Sequence, residues 1–252
     1  MIADSFDDLQ IFRNSIIGID HKISENITIK HPTLGEICDF GEQKYYSMIT
    51  SLCGDSSQNK VFLWDNGIDW TSVSEWDYFL ITHNQYNIKD VGIVLKIGNW
   101  EKATLVKNAQ NNEMVFGYIE DDKLNVVLDR MLWHETRTYL QKIHGFKDYD
   151  YAPANEYSKR KLVEKDRKRL KRLQESNEEH ESMLKPLITA LVNNQGFKYD
   201  YKTVWNIPVS ALTESVEKIQ KFVGYLQIMQ GVYAGTVDID KMKDKSCLNW
   251  LG

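Results

Sequence analysis

Met114-Val-Phe-Gly-Tyr-Ile-Glu-Asp-Asp-Lys-Leu-Asn-Val-Val-Leu128 is the stretch that decides the fold. Two apolar runs, Met114 to Ile119 and Leu124 to Leu128, flank Asp121-Asp122, and Asp suits a tight turn between strands. Upstream, Ala103 to Lys107 is strand-like and joins Met114 through Asn111-Asn112, a hairpin signal. Val91 to Ile97 adds another apolar run. No helical crossover separates these runs, so the expectation is a small antiparallel meander within residues 57–128.

Working toward the N-terminus, Val61-Phe-Leu-Trp64 reads as a short strand entering the turn Asp65-Asn66-Gly67. Ser72 with Glu75 offers a capping box for an aromatic helix through Trp76, Phe79 and Leu80. Thr33 with Glu36 offers another, and that helix is expected to run to Leu52, with Ile37, Tyr45, Met48 and Leu52 near one face and Gly54 as its stop. Asn26 to Lys30 alternates at period two, like a half-buried strand. Residues 1–25 read as a short helix or a strand.

Working toward the C-terminus, Asp129 caps a helix with Leu132, Thr136, Tyr139, Leu140 and Ile143 at helical spacing, closed by Gly145. A basic helix follows, capped by Asn155, with Leu162, Val163, Leu170 and Leu173 in a narrow arc that can rest on a surface. Ser176 to Glu181 is a polar break. Pro186 is tolerated in the first turn of an apolar helix that carries Leu187, Ile188, Leu191 and Val192. In a last long helix from Val209 to Gln230, Leu212, Val216, Ile219, Val223 and Leu226 recur at steps of four and three. Leu248 to Leu251 reads as a docking hook. The class is therefore α+β: helix-rich, with a small antiparallel β-meander in the first half and a helical C-terminal region. The composition breaks divide the chain into residues 1–146, a charged stretch 147–182, and residues 183–252.

A 252-residue chain with 42% hydrophobic residues can bury a sizeable core. There is no apolar run of about 18 residues to span a membrane. The acidic start, Met1-Ile-Ala-Asp-Ser-Phe-Asp-Asp8, lacks the pattern of a secretory signal. Cys38, Cys53 and Cys247 are odd in number and widely spaced, which argues against a disulfide framework and points to a reducing, cytoplasmic setting.

Catalytic signals are weak. His134-Glu-Thr-Arg-Thr138 begins like a zinc-protease motif, but Thr138 stands where the second His is needed. Asp39-Phe-Gly41 has none of the companion kinase motifs, and reads as helix with Phe40 in the core. Acidic pairs sit in turns. The expectation is a protein that is not an enzyme and needs no cofactor or metal.

The strongest local signal is charge. Between Ser158 and Leu173 lie Lys159, Arg160, Lys161, Lys165, Arg167, Lys168, Arg169, Lys171 and Arg172, opposed by Glu164 and Asp166 alone, in a chain of net charge −5. The readings are a solvated face, then an acidic protein partner, then nucleic acid. No Asn or Gln in residues 158–173 is available to read bases. Trp64, Trp70 and Trp76 recur at six-residue steps and suit either packing, the favoured reading, or an aromatic contact surface.

Three stretches together carry a resemblance. They are Pro32-Thr-Leu-Gly-Glu-Ile37 with Phe40 to Met48; Leu187 to Asn193 with Gly196-Phe-Lys-Tyr-Asp-Tyr201 and Trp205; and Gly231-Val-Tyr-Ala-Gly-Thr-Val-Asp238 with Leu248-Asn-Trp250. Over about the first 80 and last 70 residues the chain resembles morphogenesis proteins of tailed bacteriophages and prophages, such as tail assembly chaperones. That resemblance implies a non-enzymatic role in the host bacterial cytoplasm, binding another phage protein such as the tape measure or the tail tube. The alternatives are a structural virion component of the tail-completion or baseplate type, and a nucleic-acid-binding module using residues 158–173.

Overall fold

The structure is a computed structural model that describes residues 8–109, 111–146, 153–175, 181–242 and 244–251. In chain order the described elements are α1 (Asp8–Ile17), β1 (His21–Lys22), β2 (Ile27–Ile29), α2 (Leu34–Phe40), α3 (Glu42–Cys53), α4 (Lys60–Asp65), α5 (Glu75–Thr82), α6 (Ile88–Val91), β3 (Leu95–Ile97), β4 (Thr104–Lys107), β5 (Met114–Glu120), β6 (Lys123–Leu128), α7 (Arg130–His144), α8 (Glu156–Glu175), α9 (Leu184–Val192) and α10 (Val209–Tyr233). This is a helix-rich α+β protein with a helical C-terminal region. The polar break at Ser176 to His180 lies outside the described residues.

The meander is β4-β5-β6, antiparallel throughout. Asp121 and Asp122 both take positive φ (51° and 57°), the geometry that turns a two-residue hairpin in register with strand twist. Asn112, just before β5, also takes a positive φ, 62°. At the bulge beside Gly117 the strands approach so closely that a Cβ would lie 2.6 Å from the carbonyl oxygen of Asn125. The run Val91 to Ile97 departs from expectation. Asn87 caps α6 by accepting a hydrogen bond from the Lys89 N–H, and Val91 ends that helix. Only Leu95–Ile97 is extended, and it pairs with β2, Ile27 opposite Ile97 and Ile29 opposite Leu95, in a second sheet of order β1-β2-β3. Asn26 to Lys30 thus supplies a strand as expected, with a partner distant in sequence.

Thr33 and Glu36 form the capping box. The Thr33 hydroxyl accepts from the Glu36 N–H at 3.2 Å, and the Glu36 carboxylate accepts from the Thr33 N–H at 2.8 Å. The helix does not continue to Leu52, because Gly41 at φ 99° breaks it into α2 and α3. That corner lets Ile37 on α2 and Tyr45, Ile49 and Leu52 on α3 all reach one core. Asp39-Phe40-Gly41 is this corner, with Phe40 packed at the edge of the core and not inside it. Val61 to Trp64 is helical, within α4, because its buried side is set by packing beneath α8. The cap of α5 is Ser74, accepting from the Asp77 N–H at 3.2 Å, while Ser72 lies in a 3₁₀ turn started by Asp69.

One main core runs from Ile11 to Leu212 and draws on residues of both 1–146 and 183–252. Helix α7 crosses it, capped by Asp129 at its start and by left-handed Gly145 at its end. The α7 side chains Arg137 and Gln141 donate to the carbonyl of Cys53, at 3.1 and 2.9 Å, and Arg137 also reaches that of Gly54. These are orphan carbonyls of the α3 C-terminus, so α7 closes α3 electrostatically as well as by packing. In α10 only Val209 and Leu212 are buried, and Val216 and Ile219 pack at the core edge. Beyond them the apolar stripe leaves the core. The C-terminal hook docks on this outer half of α10, with Trp250 edge-on to Phe222 at 5.0 Å and Lys218 Nζ donating to the Leu251 carbonyl at 2.9 Å. No described helix is long and apolar enough to cross a membrane.

Candidate binding faces

Helix α8 forms because nearly every residue from Glu156 to Glu175 is a straight-chain helix former, and Asn155 accepts from the Ser158 N–H at its start. Its narrow apolar arc makes the second, smaller core. Val163 (1% exposed) meets Leu63 of α4, Trp70 and Tyr78, with Leu162 and Trp64 packed alongside. Leu170 and Leu173 lie on the same arc but remain exposed.

Ion pairs fix the helix in this seat. Lys159 Nζ meets Asp69 at 2.6 Å, Arg167 pairs with Asp65, and Lys60 of α4 reaches back to Asp166. The Lys159 ammonium, with the Thr71 hydroxyl and N–H, holds the Asp69 carboxyl down to about 2. Asp69 is nearly half exposed, so solvent screens the pair and its main effect is orientation. Within the helix, Arg160 pairs with Glu164, Arg169 with Asp166 and Lys171 with Glu175.

The charge island therefore divides in two. Lys159, Arg160, Arg167, Arg169 and Lys171 have carboxylate partners. Lys161, Lys165, Lys168 and Arg172 have none among the described residues, and all four are exposed. They stand at i, i+4, i+7 and i+11, one line about 16 Å long on the side of α8 opposite the packed arc. Tyr157 extends the line, its ring 4.7 Å below Lys161 Nζ. The spacing was visible in the sequence. Which cations were already neutralised was not, since Asp65 and Asp69 lie about a hundred residues away in the chain.

The tryptophans are placed otherwise than a contact surface requires. Trp76 (2% exposed) is interior, its indole N–H donating to the Met114 carbonyl at 3.2 Å, and Trp70 (4%) lies in the small core. Trp64 is half-buried beside it. Packing under α5 and α8 accounts for all three.

His134 and His144 make contacts within the fold. His134 Nδ1 lies 2.6 Å from Glu75, which also pairs with Arg137 at 3.1 Å. His144 Nε2 meets the Tyr45 hydroxyl at 2.8 Å. Among the described residues no group of three His, Cys, Asp or Glu side chains is placed to hold a metal ion. Comparison with protein-family models, curated proteins and solved structures returned no match.

Proposed function

We propose that this protein works by holding another protein, without catalysing a reaction, through the outer face of α8. The partner is an acidic, helical component of a phage tail, the tape measure or the tail tube, met in the host cytoplasm during assembly. The observation that carries this reading is the line of four cations without a carboxylate partner among the described residues, on a helix whose outer face is set by the seating of Val163 and by the pairs to Asp65 and Asp69. A preoriented line of charge steers a complementary helix and fixes its register. Carboxylates at the same i, i+4, i+7 spacing on a partner helix would match it. The resemblance to tail morphogenesis proteins supports the choice of partner.

The test is capture by the tagged chain from infected or induced cells at about 50 mM salt, where screening is weak. Tape-measure or tail-tube protein should copurify with the wild type. It should be lost from a variant with Lys161, Lys165, Lys168 and Arg172 all changed to Gln, whose melting temperature should stay within a few degrees because these side chains are exposed. Recovery of nucleic acid alone at the same salt replaces this reading with a phosphate-binding one. Finding the chain in purified virions replaces it with a structural tail component.

A further inference from the structure

We infer that two copies of this chain pair antiparallel through the outer half of α10, each helix tip lying against the start of the other's outer half. From Phe222 to Val237 the chain carries no charged residue, yet no residue of this stretch is fully buried by the described residues. Val223, Leu226 and Tyr233 are 41, 42 and 83% exposed. They continue the heptad of Leu212, Val216 and Ile219, with Val at a positions 216 and 223, Gln at a position 230, and Leu, Ile or Tyr at the d positions (212, 219, 226, 233). A solvent-facing helix ordinarily carries charge opposite its seam, and this one stops doing so where it leaves the core.

The chain covers one flank itself, where Trp250 sits on Phe222 and Val237 on Gly231. The a/d flank stays open. A second copy fits it for two reasons. It brings no charge to the seam, so pairing buries no unpaired ion. It also supplies the same seam, since an antiparallel register centred near Ile228 sets Val223 against Tyr233 and Leu226 against Gln230, the a-to-d layers such pairs form.

Orientation follows from the body of the protein. At its base the same stripe faces the protein's own core, flanked by α1 and α9. Two parallel helices would force both bodies into the space between them. Antiparallel helices place each body beyond the other's tip, where exposed Phe12 of α1 borders the base of α10. Such a seam with its docked tips buries on the order of 1,000 Å² in total, the lower edge for a specific interface, so association in the micromolar range is expected.

Light scattering from about 1 to 100 µM should show the mass rising from one chain to two. The double variant Val223→Glu, Leu226→Glu should stay monomeric with an unchanged helical circular dichroism spectrum. Cross-linking gives the second arm, in a background with the exposed Cys38 and Cys247 changed to Ser. Mixing Val223→Cys and Tyr233→Cys proteins under oxidation should give a covalent dimer that neither gives alone. A wild type monomeric at about 100 µM overturns the pairing, and cross-linking by Tyr233→Cys alone overturns the antiparallel arrangement. Neither outcome bears on partner capture by α8.

Discussion

His31 shows how a single residue ties this fold to pH. It is 7% exposed, its Nε2 lies 3.2 Å from the Tyr139 hydroxyl, and its Nδ1 has no hydrogen-bond partner among the described residues. Burial, with the nearby His144 and His21, pushes its pKa down to about 4, and burial does the same to His144. Unfolded, both imidazoles titrate near the ordinary value of 6.5. Between pH 6.5 and 4 the unfolded chain binds more protons, so stability is full above pH 6.5 and falls as pH drops toward 4. Each group accounts for on the order of 2 to 3 kcal/mol over that window. Urea midpoints at pH 7.5, 5.5 and 4.5 should fall in that order, and His31→Asn should flatten the slope. A midpoint independent of pH down to 4.5 would show that these imidazoles stay solvated. Arg137 is the other decisive residue. Changing it to Met strips donors from the carbonyls of Cys53 and Gly54 and leaves Glu75 without its buried partner, a loss of about 3 kcal/mol readable as a drop in the melting transition.

At the scale of elements, α8 is held by few contacts, so it should detach before the rest unfolds. Val163→Asp puts a charge into the small core beside Leu63, Trp70 and Tyr78. Amide exchange should then speed through α8 and α4, while the β5 and α7 amides keep their protection. Uniform acceleration would mean that the small core is integral to the large one. Elements with local signals were legible in the sequence. Thr33 with Glu36, Asp129 and Asn155 each carry a cap whose partner lies three residues on, and Asp121-Asp122 contains its turn entirely. Elements decided by distant packing were not. Val61 to Trp64 is too short for periodicity to separate strand from helix, and its buried side is defined by Val163 a hundred residues later. Likewise the partner of β3 is β2, across helices α2 to α6, and Gly41 shows its role only where φ is known. For the candidate faces, the cations of α8 and the heptad of α10 could be read directly. Their neutralisation by Asp65 and Asp69, and the emergence of α10 from the core, depend on the tertiary structure.

For the whole molecule, the main core ends in the chain before the outer face of α10 begins. The main core is complete at Leu212, edged by Val216 and Ile219, and the described residues after Ile219 add nothing buried to it. A chain ending at Gln220 should therefore fold, because the hook it loses meets α10 at Lys218 and Phe222 and adds nothing buried to the core. Its melting temperature in dilute solution should stay within a few degrees of the full chain. A chain ending at Pro208 should fail, since it removes Val209 and Leu212 from the core and frees the α1 surface that α10 covers, two apolar side chains worth about 2 kcal/mol each before the helix contacts are counted. Thermal melts over a range of concentrations distinguish the two roles of α10. Pairing stabilises only the folded state, so the full chain should melt higher at high concentration and the Gln220 truncation should not. If the truncation instead melts far below the full chain when both are dilute, the outer half of α10 is part of the fold's own stability, and its uncovered face serves the monomer.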